Sequence, residues 1–223
     1  MEQIVYGIAT WEWNGWHQCI DSWIYNAAGF WPARIERNKS VIDAYQSIYE
    51  NTDHSIIAYI HDDVMINEKD WDARVLKEFE DPSVGIVGFG GATRHGGPGL
   101  YDGDFYLPNL GRLGFASNMG NAEVHGARFS GERDVAVFDG FAIFVRRSIL
   151  NTVSGWNKKA GYFMYCEWIC CEARRQGYRL RQVGISCDHL GGKTASIANV
   201  QDDFVAAHRW LWDNNRDVLP FSV

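Results

Sequence analysis

The chain has 223 residues, with 21 Lys or Arg against 28 Asp or Glu, which gives a net charge of −7 with neutral histidine. This acidic balance, without a block of basic residues, argues against a nucleic-acid-binding protein and against a polybasic membrane anchor. No apolar run approaches about 18 residues, so the sequence predicts no transmembrane helix.

The first 90 residues alternate between strand-like and helix-like patterns. β-branched, apolar runs predict strands at 4–10, 55–60 and 84–89, and a short extended piece follows Pro32. Apolar residues at helical spacing predict helices at 17–28 and 41–51, the second with Ser40 as its N-cap. A third helix is predicted up to residue 80, with Asn67 as its cap. This alternation predicts an α/β fold whose sheet is parallel at least in this half.

The remaining chain begins with a long irregular segment. Residues 90–120 contain nine glycines and are too polar to pack as a regular element, so we expect a lid or binding loop, with a disordered insertion as the alternative. Two strand-like runs then flank Asp139 and Gly140. Next come a helix at about 165–176, a strand at 178–185, a polar turn at 187–193 and a helix at about 199–214. No linker or internal repeat divides the chain, which predicts a single domain.

The cysteines and the first residues of the chain indicate a cellular compartment. The five cysteines are unevenly spread and form no C-x-x-C pair, and the first residues lack the basic flank of a secretory signal. We therefore expect a protein of the reducing cytoplasm.

The clearest chemical motif follows the predicted central strand. The run IIAYI leads directly into His61, Asp62 and Asp63, at the carboxyl edge where open α/β sheets bind ligands. His61 and Asp63 are two residues apart, so on an extended segment they point the same way. An imidazole nitrogen and a carboxylate oxygen can then share a divalent cation whose other ligands are water and phosphate oxygens. The alternative is a solvated acidic turn.

Several short motifs follow one another along most of the chain: ATWE at 9–12, NKS at 38–40, HDD at 61–63, DGFAIFVRR at 139–147, the block from Gly155 to Tyr178 with Phe163, Tyr165, Glu167 and two arginines, and HLGG at 189–192. In this order they resemble the GT-A glycosyltransferases, specifically glycosyltransferase family 2. The resemblance implies a GT-A fold with a mostly parallel central sheet flanked by helices. It also implies an inverting hexosyltransferase that uses Mn²⁺ or Mg²⁺ and a nucleotide-sugar donor, most commonly a UDP-sugar, and that glycosylates a glycan or another hydroxyl acceptor.

The resemblance also implies roles for individual residues and regions. Residues 1–90 would form a nucleotide-binding half and residues 121–193 an acceptor-binding, catalytic half, followed by a helical tail. The implied metal ligands are Asp63, His61 and His189. Glu167 is the implied catalytic base, with Glu172 in reserve, and Asp139 is a candidate ligand of the acceptor hydroxyl. The donor-binding candidates are Thr10, Glu12, Arg37, Lys39, Asp62 and Lys193.

Three positions depart from the family pattern. His61 replaces the first aspartate of the D-x-D motif, Glu36 is the one acidic residue at the end of the second strand, and Glu167-Trp168 replaces an acidic pair. Two other functions remain open from the sequence. The first is a sugar nucleotidyltransferase, which would carry a Gly-rich phosphate loop after the first strand, and residues 10–17 contain no such loop. The second is a non-catalytic module that binds a carbohydrate or nucleotide sugar, which the 14% aromatic content would also suit.

Overall fold

The computed structural model describes residues 3–11, 15–95, 112–113, 116–117, 129–189, 200–219 and 221–223. Six α-helices lie in these ranges: α1 Trp16–Asn26, α2 Val41–Glu50, α3 Trp71–Glu78, α4 Arg147–Val153, α5 Gly161–Arg175 and α6 Val200–Asn214. Fifteen β-strands lie there too: β1 Ile4–Thr10, β2 Ala33–Arg37, β3 Ile56–Ile60, β4 Val64–Ile66, β5 Val84–Gly88, β6 Gly91–Ala92, β7 Arg94–His95, β8 Arg112–Leu113, β9 Ala116–Ser117, β10 Glu132–Asp134, β11 Val137–Phe138, β12 Ala142–Arg146, β13 Arg179–Val183, β14 Cys187–His189 and β15 Phe221–Ser222. None of the described helices is long and apolar enough to cross a bilayer.

Seven strands form the central sheet, in the order β10-β13-β5-β12-β3-β1-β2. Strands β1, β2, β3, β5 and β13 run in one direction, while β10 and β12 run against them. Helices α1 and α3 pack on one face of this sheet, and α2, α4 and α5 pack on the other. The predicted α/β fold, with a mostly parallel sheet flanked by helices, is confirmed.

Strand β3 shows why an uninterrupted apolar run was needed at the centre. All five of its side chains are buried, and they alternate between the two layers of the core. Ile56, Ala58 and Ile60 face the α1 and α3 side, whereas Ile57 and Tyr59 face the α2 and α5 side. A strand buried on both faces has no polar position, so the first polar residues follow only where it leaves the sheet.

The segment around His189 differs from its prediction. Residues 187–189 form strand β14 instead of a polar turn, and β14 pairs antiparallel with β4 so that His189 lies opposite Val64. Asn67 does not cap a helix, because α3 begins after Asp70 and the Asn67 side chain instead donates to Asp188 Oδ2 at 2.8 Å. Both differences arise from pairing between segments that lie 121 residues apart, which no local pattern encodes.

Helix α5 begins four residues before its predicted start at Tyr165. The Asn157 side chain accepts a hydrogen bond from the backbone N–H of Lys159 at 3.0 Å, which starts a 3-10 turn at Lys158–Ala160 that continues into the helix. Glu167 therefore lies in the second turn of α5 and not in the first. The preference for acidic residues in a first turn thus does not account for its position.

Several predictions fall on other parts of the chain. Most of the expected lid at 90–120, and the candidates Glu12 and Lys193, lie outside the described residues. The central sheet takes strands from both halves of the chain. The division into a nucleotide-binding half at 1–90 and a catalytic half at 121–193 stays a prediction.

Two buried histidines predict how the stability depends on pH. His95 and His208 are 0% and 1% exposed. Burial, together with the charge of Arg174, whose Nη2 lies 2.6 Å from His95 Nδ1, holds the pKa of His95 well below its ordinary range, and burial also lowers the pKa of His208. The unfolded chain takes up these protons near pH 6.5 and the folded chain does not. The free energy of unfolding is therefore expected to fall as the pH is lowered from about 7 to 5.

Urea unfolding at a series of pH values measures this effect. His95→Gln should reduce the slope of the profile, and His208 and His61, whose pKa values burial also lowers, account for the slope that remains. Replacement of the exposed His17 by glutamine is the control. A free energy of unfolding that is the same at pH 7 and pH 5 in the wild-type protein would contradict the prediction.

Candidate functional site

The turn after β3 holds His61 and Asp63 in fixed positions at the carboxyl edge of the sheet. The backbone N–H of His61 donates to the carbonyl of Phe141 at 2.8 Å, and the N–H of Val64 donates back to the carbonyl of His61 at 3.2 Å. Strand β4 then starts at once, and Trp23 of α1 donates its indole N–H to the Val64 carbonyl at 2.6 Å. This tight turn between two anchored strands gives the intervening polar side chains little freedom.

Strand β14 brings a third polar side chain to the same place. His189 Nε2 lies 3.2 Å from Asp63 Oδ1, and the imidazole stacks on the Phe141 ring with centroids 5.1 Å apart and planes at 21°. One ligand atom each from His61, Asp63 and His189 lie within 4.8 Å of one another, the one such cluster of His, Cys, Asp or Glu among the described residues. The three implied metal ligands are thus brought together.

The protonation of this cluster suits a cation. Burial lowers the pKa of His61 to about 4, assisted by the neighbouring His189. Burial alone would raise the pKa of Asp63, but the hydrogen bond and charge of His189 hold it below its ordinary value. At neutral pH the cluster therefore offers a neutral imidazole and an ionised carboxylate. The cluster has nitrogen as well as oxygen ligand atoms, whereas Mg²⁺ prefers oxygen ligands alone.

Two further carboxylates were implied to act in the reaction, Asp139 directly after β11 and Glu167 on α5. Asp139 is partly buried and its backbone N–H donates to the Gly90 carbonyl at 2.9 Å. Glu167 is 8% exposed on α5. The pKa of the Cys166 thiol lies well above its ordinary range. Burial is the main cause, and the neighbouring Cys170 and the charges of Glu167 and Asp139 add to it. Asp139 therefore lies close to Cys166, the residue that precedes Glu167 on α5.

Glu172, the reserve base, has a different environment. Its carboxylate accepts a hydrogen bond from Arg175 at 2.5 Å, and Arg175 also pairs with Asp217 at 2.6 Å. This ion-pair network ties α5 to the segment after α6. Glu172 thus supports Arg175, the residue that joins the two elements.

The donor-binding candidates in the described part of the chain lie at the ends of adjacent strands. Thr10 ends β1 and is paired in register with Arg37, which ends β2 next to it. The Arg37 guanidinium lies 5.9 Å from the ring centroid of Trp16, in the first turn of α1. Burial and the charges of Asp63 and Asp62 raise the pKa of Cys19 to about 11, so Asp62 also lies near this turn.

Lys39 lies at the same edge but has an acidic partner. Its ammonium group is 2.8 Å from Glu36, which also accepts hydrogen bonds from Arg34 at 3.1 Å and from Ser47 at 2.9 Å. Burial would raise the pKa of Glu36, yet these hydrogen bonds hold it below its ordinary value. Glu36, the single acidic residue at the end of β2, is thus engaged by three neighbours.

Two residues near the cluster had no assigned role in the sequence. The Tyr165 hydroxyl lies 2.7 Å from His61 Nε2, and the Phe141 ring supports His189. Both residues belong to motifs that carry the family resemblance, so the sequence could have pointed to them. Their contacts required the packing of α5 and β14 against the strand ends.

Comparisons with known proteins agree with this architecture. Residues 32–189 match the sequence profile of a glycosyltransferase-like family. A search of curated protein sequences gave no significant match. Among solved structures, the chain is similar to TarS from S. aureus in complex with UDP-GlcNAc, with a TM-score of 0.63, 8% identity and coverage of 99% of this chain and 67% of that one.

Two further solved structures share the fold. The mannosyltransferase PcManGT from Pyrobaculum calidifontis, in complex with GDP-Man and Mn²⁺, gives a TM-score of 0.62 at 11% identity, covering 99% of this chain and 66% of that one. GalNAc-T7 with UDP, GalNAc and Mn²⁺ gives 0.62 at 10% identity, covering 97% of this chain and 49% of that one. The chain spans about two thirds of the first protein and half of the second. At these identities the similarity shows the GT-A fold alone.

Proposed function

The chain belongs to the glycosyltransferase-like family, and from this premise we propose that it transfers a sugar from a nucleotide-diphosphate donor to a hydroxyl acceptor, with inversion and with a divalent cation. The observation that carries the proposal is the cluster of His61, Asp63 and His189 at the carboxyl edge of the sheet. The family supports glycosyl transfer as the reaction. The cation, the stereochemistry, the donor and the acceptor are our inference.

The cluster would hold the cation through Asp63, His61 and His189. A divalent ion at this place would neutralise the negative charge that builds up on the departing diphosphate. Three protein ligands leave room in the coordination shell for phosphate oxygens. The ionised Asp63 supplies the negative charge of the site, and the two imidazoles add nitrogen ligands.

The nucleotide would lie over the ends of β1, β2 and β3. Thr10, Arg37 and Asp62 surround the start of α1 and are the candidates for contacts with the nucleoside and phosphates, together with Glu12 and Lys193 outside the described residues. Lys39 would act through Glu36, which it already contacts. We propose UDP as the nucleotide, since two of the three similar structures hold a uridine nucleotide and one holds GDP-Man.

The acceptor would approach from the side of Asp139 and Glu167. Inverting transfer needs a carboxylate that removes the proton from the attacking hydroxyl as the new bond forms. We assign this role to Glu167, with Asp139 holding the acceptor hydroxyl by a hydrogen bond. The assignment of Glu167 rests on the family motif, in which Glu167 stands at the place of the catalytic acidic pair. Asp139 lies close to Cys166, the residue before Glu167.

The cysteines support a proposal about location. All five are free and buried, which suits a reducing compartment, and we propose the cytoplasm.

A thermal-shift panel of UDP, GDP, CMP and dTDP, each with and without Mn²⁺, tests the proposal. A ligand that binds only the folded state stabilises it by RT ln(1 + [L]/Kd), about 2.7 kcal/mol at one hundred times Kd. We expect UDP to raise the melting temperature most, and only when Mn²⁺ is present. An equal shift without Mn²⁺ would refute the metal-dependent donor site, and donor binding without transfer or hydrolysis would favour a binding module.

A further inference from the structure

We propose that Tyr165 is a positioning residue that fixes the tautomer of His61 and thereby presents His61 Nδ1 to the cation. This proposal deepens the proposed function and rests on its metal site. Tyr165 itself is not a ligand in this assignment. Its phenol acts only through the imidazole that it contacts.

The hydrogen-bond directions carry the inference. The Tyr165 hydroxyl lies 3.1 Å from the carbonyl oxygen of Gly140, which can only accept, and we assign the hydroxyl proton to this hydrogen bond. The same hydroxyl oxygen lies 2.7 Å from His61 Nε2. With its one proton assigned to Gly140, the oxygen accepts from the imidazole, and in this assignment His61 carries its proton on Nε2. In a neutral imidazole the other nitrogen, Nδ1, then has its lone pair free for a metal.

The residue at position 140 supports this arrangement independently. A Cβ atom on Gly140 would overlap the Tyr165 hydroxyl and push against its ring carbon Cζ. Gly140 is not among the described glycines that have a positive φ, so its backbone conformation does not require glycine. The close approach of the phenol does account for glycine at position 140.

The surrounding aromatic cluster holds the phenol in place. The Tyr165 ring packs edge-on against Tyr45, with centroids 5.6 Å apart, and against Trp156, with centroids 6.0 Å apart. Tyr165 lies in the second turn of α5, so the helix backbone is also fixed there. A hydrogen bond to the distal nitrogen of a metal-binding histidine orients the ring and raises the basicity of the ligating nitrogen.

The first measurement uses the metal-free protein. Long-range ¹H–¹⁵N correlation spectra at pH 7 distinguish the two imidazole tautomers, and His61→Gln identifies the signals. We expect wild-type His61 to be protonated on Nε2. In Tyr165→Phe and in Gly140→Ala the population protonated on Nδ1 should increase, because one variant deletes the hydroxyl and the other displaces it.

Tyr59→Phe is the matched control. Tyr59 belongs to the same aromatic cluster, and its hydroxyl accepts from Trp156 Nε1 at 3.0 Å, so this variant also loses one buried hydrogen bond. It should leave the His61 tautomer unchanged. A wild-type His61 protonated on Nδ1, or the same tautomer populations in wild type and Tyr165→Phe, would overturn the proposal, and the wild-type result alone suffices if a variant does not fold.

The second measurement is Mn²⁺ affinity, followed by electron paramagnetic resonance of the free ion. Tyr165→Phe is expected to bind Mn²⁺ about 10- to 100-fold more weakly than wild type, the usual effect of losing such a supporting hydrogen bond, while Tyr59→Phe stays within about twofold. Equal affinities of Tyr165→Phe and wild type would overturn the positioning role. If the wild type binds no Mn²⁺, the proposed metal site is refuted, whereas the tautomer spectra still decide what Tyr165 does to His61.

Discussion

Asp63→Ala is expected to abolish Mn²⁺-dependent nucleotide binding while the fold survives. Asp63 is the only anionic member of the candidate metal cluster, and it lies in the turn after β3 and not inside the strand. Its loss removes a direct ligand, so the affinity should fall by more than the roughly 10- to 100-fold that is typical for a supporting residue. Isothermal titration of UDP in the presence of Mn²⁺ measures the effect.

Two comparisons make the result specific. Asp53→Ala removes the same charge from a fully exposed side chain near the start of β3 and should bind UDP and Mn²⁺ like the wild type. His61→Ala should weaken binding less than Asp63→Ala, because water can replace one ligand of a hard cation. An Asp63→Ala protein that keeps the wild-type, Mn²⁺-dependent affinity would remove the metal site from the proposal.

Glu167→Gln is expected to lose sugar transfer and to keep donor binding. Glutamine has the shape of glutamate but cannot accept a proton, so only the step that needs a base should slow down. Loss of a general base reduces the rate by about 10²- to 10⁴-fold. A lower kcat with unchanged donor affinity identifies an interaction that acts in the transition state. Transfer to a glycan acceptor is the assay, and slow donor hydrolysis can replace it.

Glu172→Gln is the natural control for this experiment. It makes the same substitution on the same helix, at a carboxylate that is paired with Arg175, and it should lower the stability slightly without affecting transfer. If Glu172→Gln were inactive and Glu167→Gln active, the base would lie five residues, about 1.4 turns, further along α5. If both transferred normally, Asp139→Asn would be the next variant, since Asp139 lies near His61 and Cys166.

The sequence by itself determined the elements whose cause is local. The apolar run at Ile56–Ile60 predicts a buried strand, and the structure confirms it. Ser40 is the predicted cap of α2, and its hydroxyl accepts from the Asp43 backbone N–H at 3.2 Å. Polar residues directly after a buried strand must lie at the sheet edge, so the positions of His61 and Asp63 followed from the same reasoning.

Only the tertiary structure decided how the distant parts of the site meet. His189 reaches Asp63 because β14 pairs with β4, and three residues with a mixed polar pattern carry no signal of a partner more than 100 residues away. The contact of Tyr165 with His61 and the ion pair of Arg175 with Asp217 depend likewise on packing between elements. Helical periodicity and helix caps depend on residues that are close in sequence. Strand pairing and contacts between side chains depend on how all the elements pack into one core.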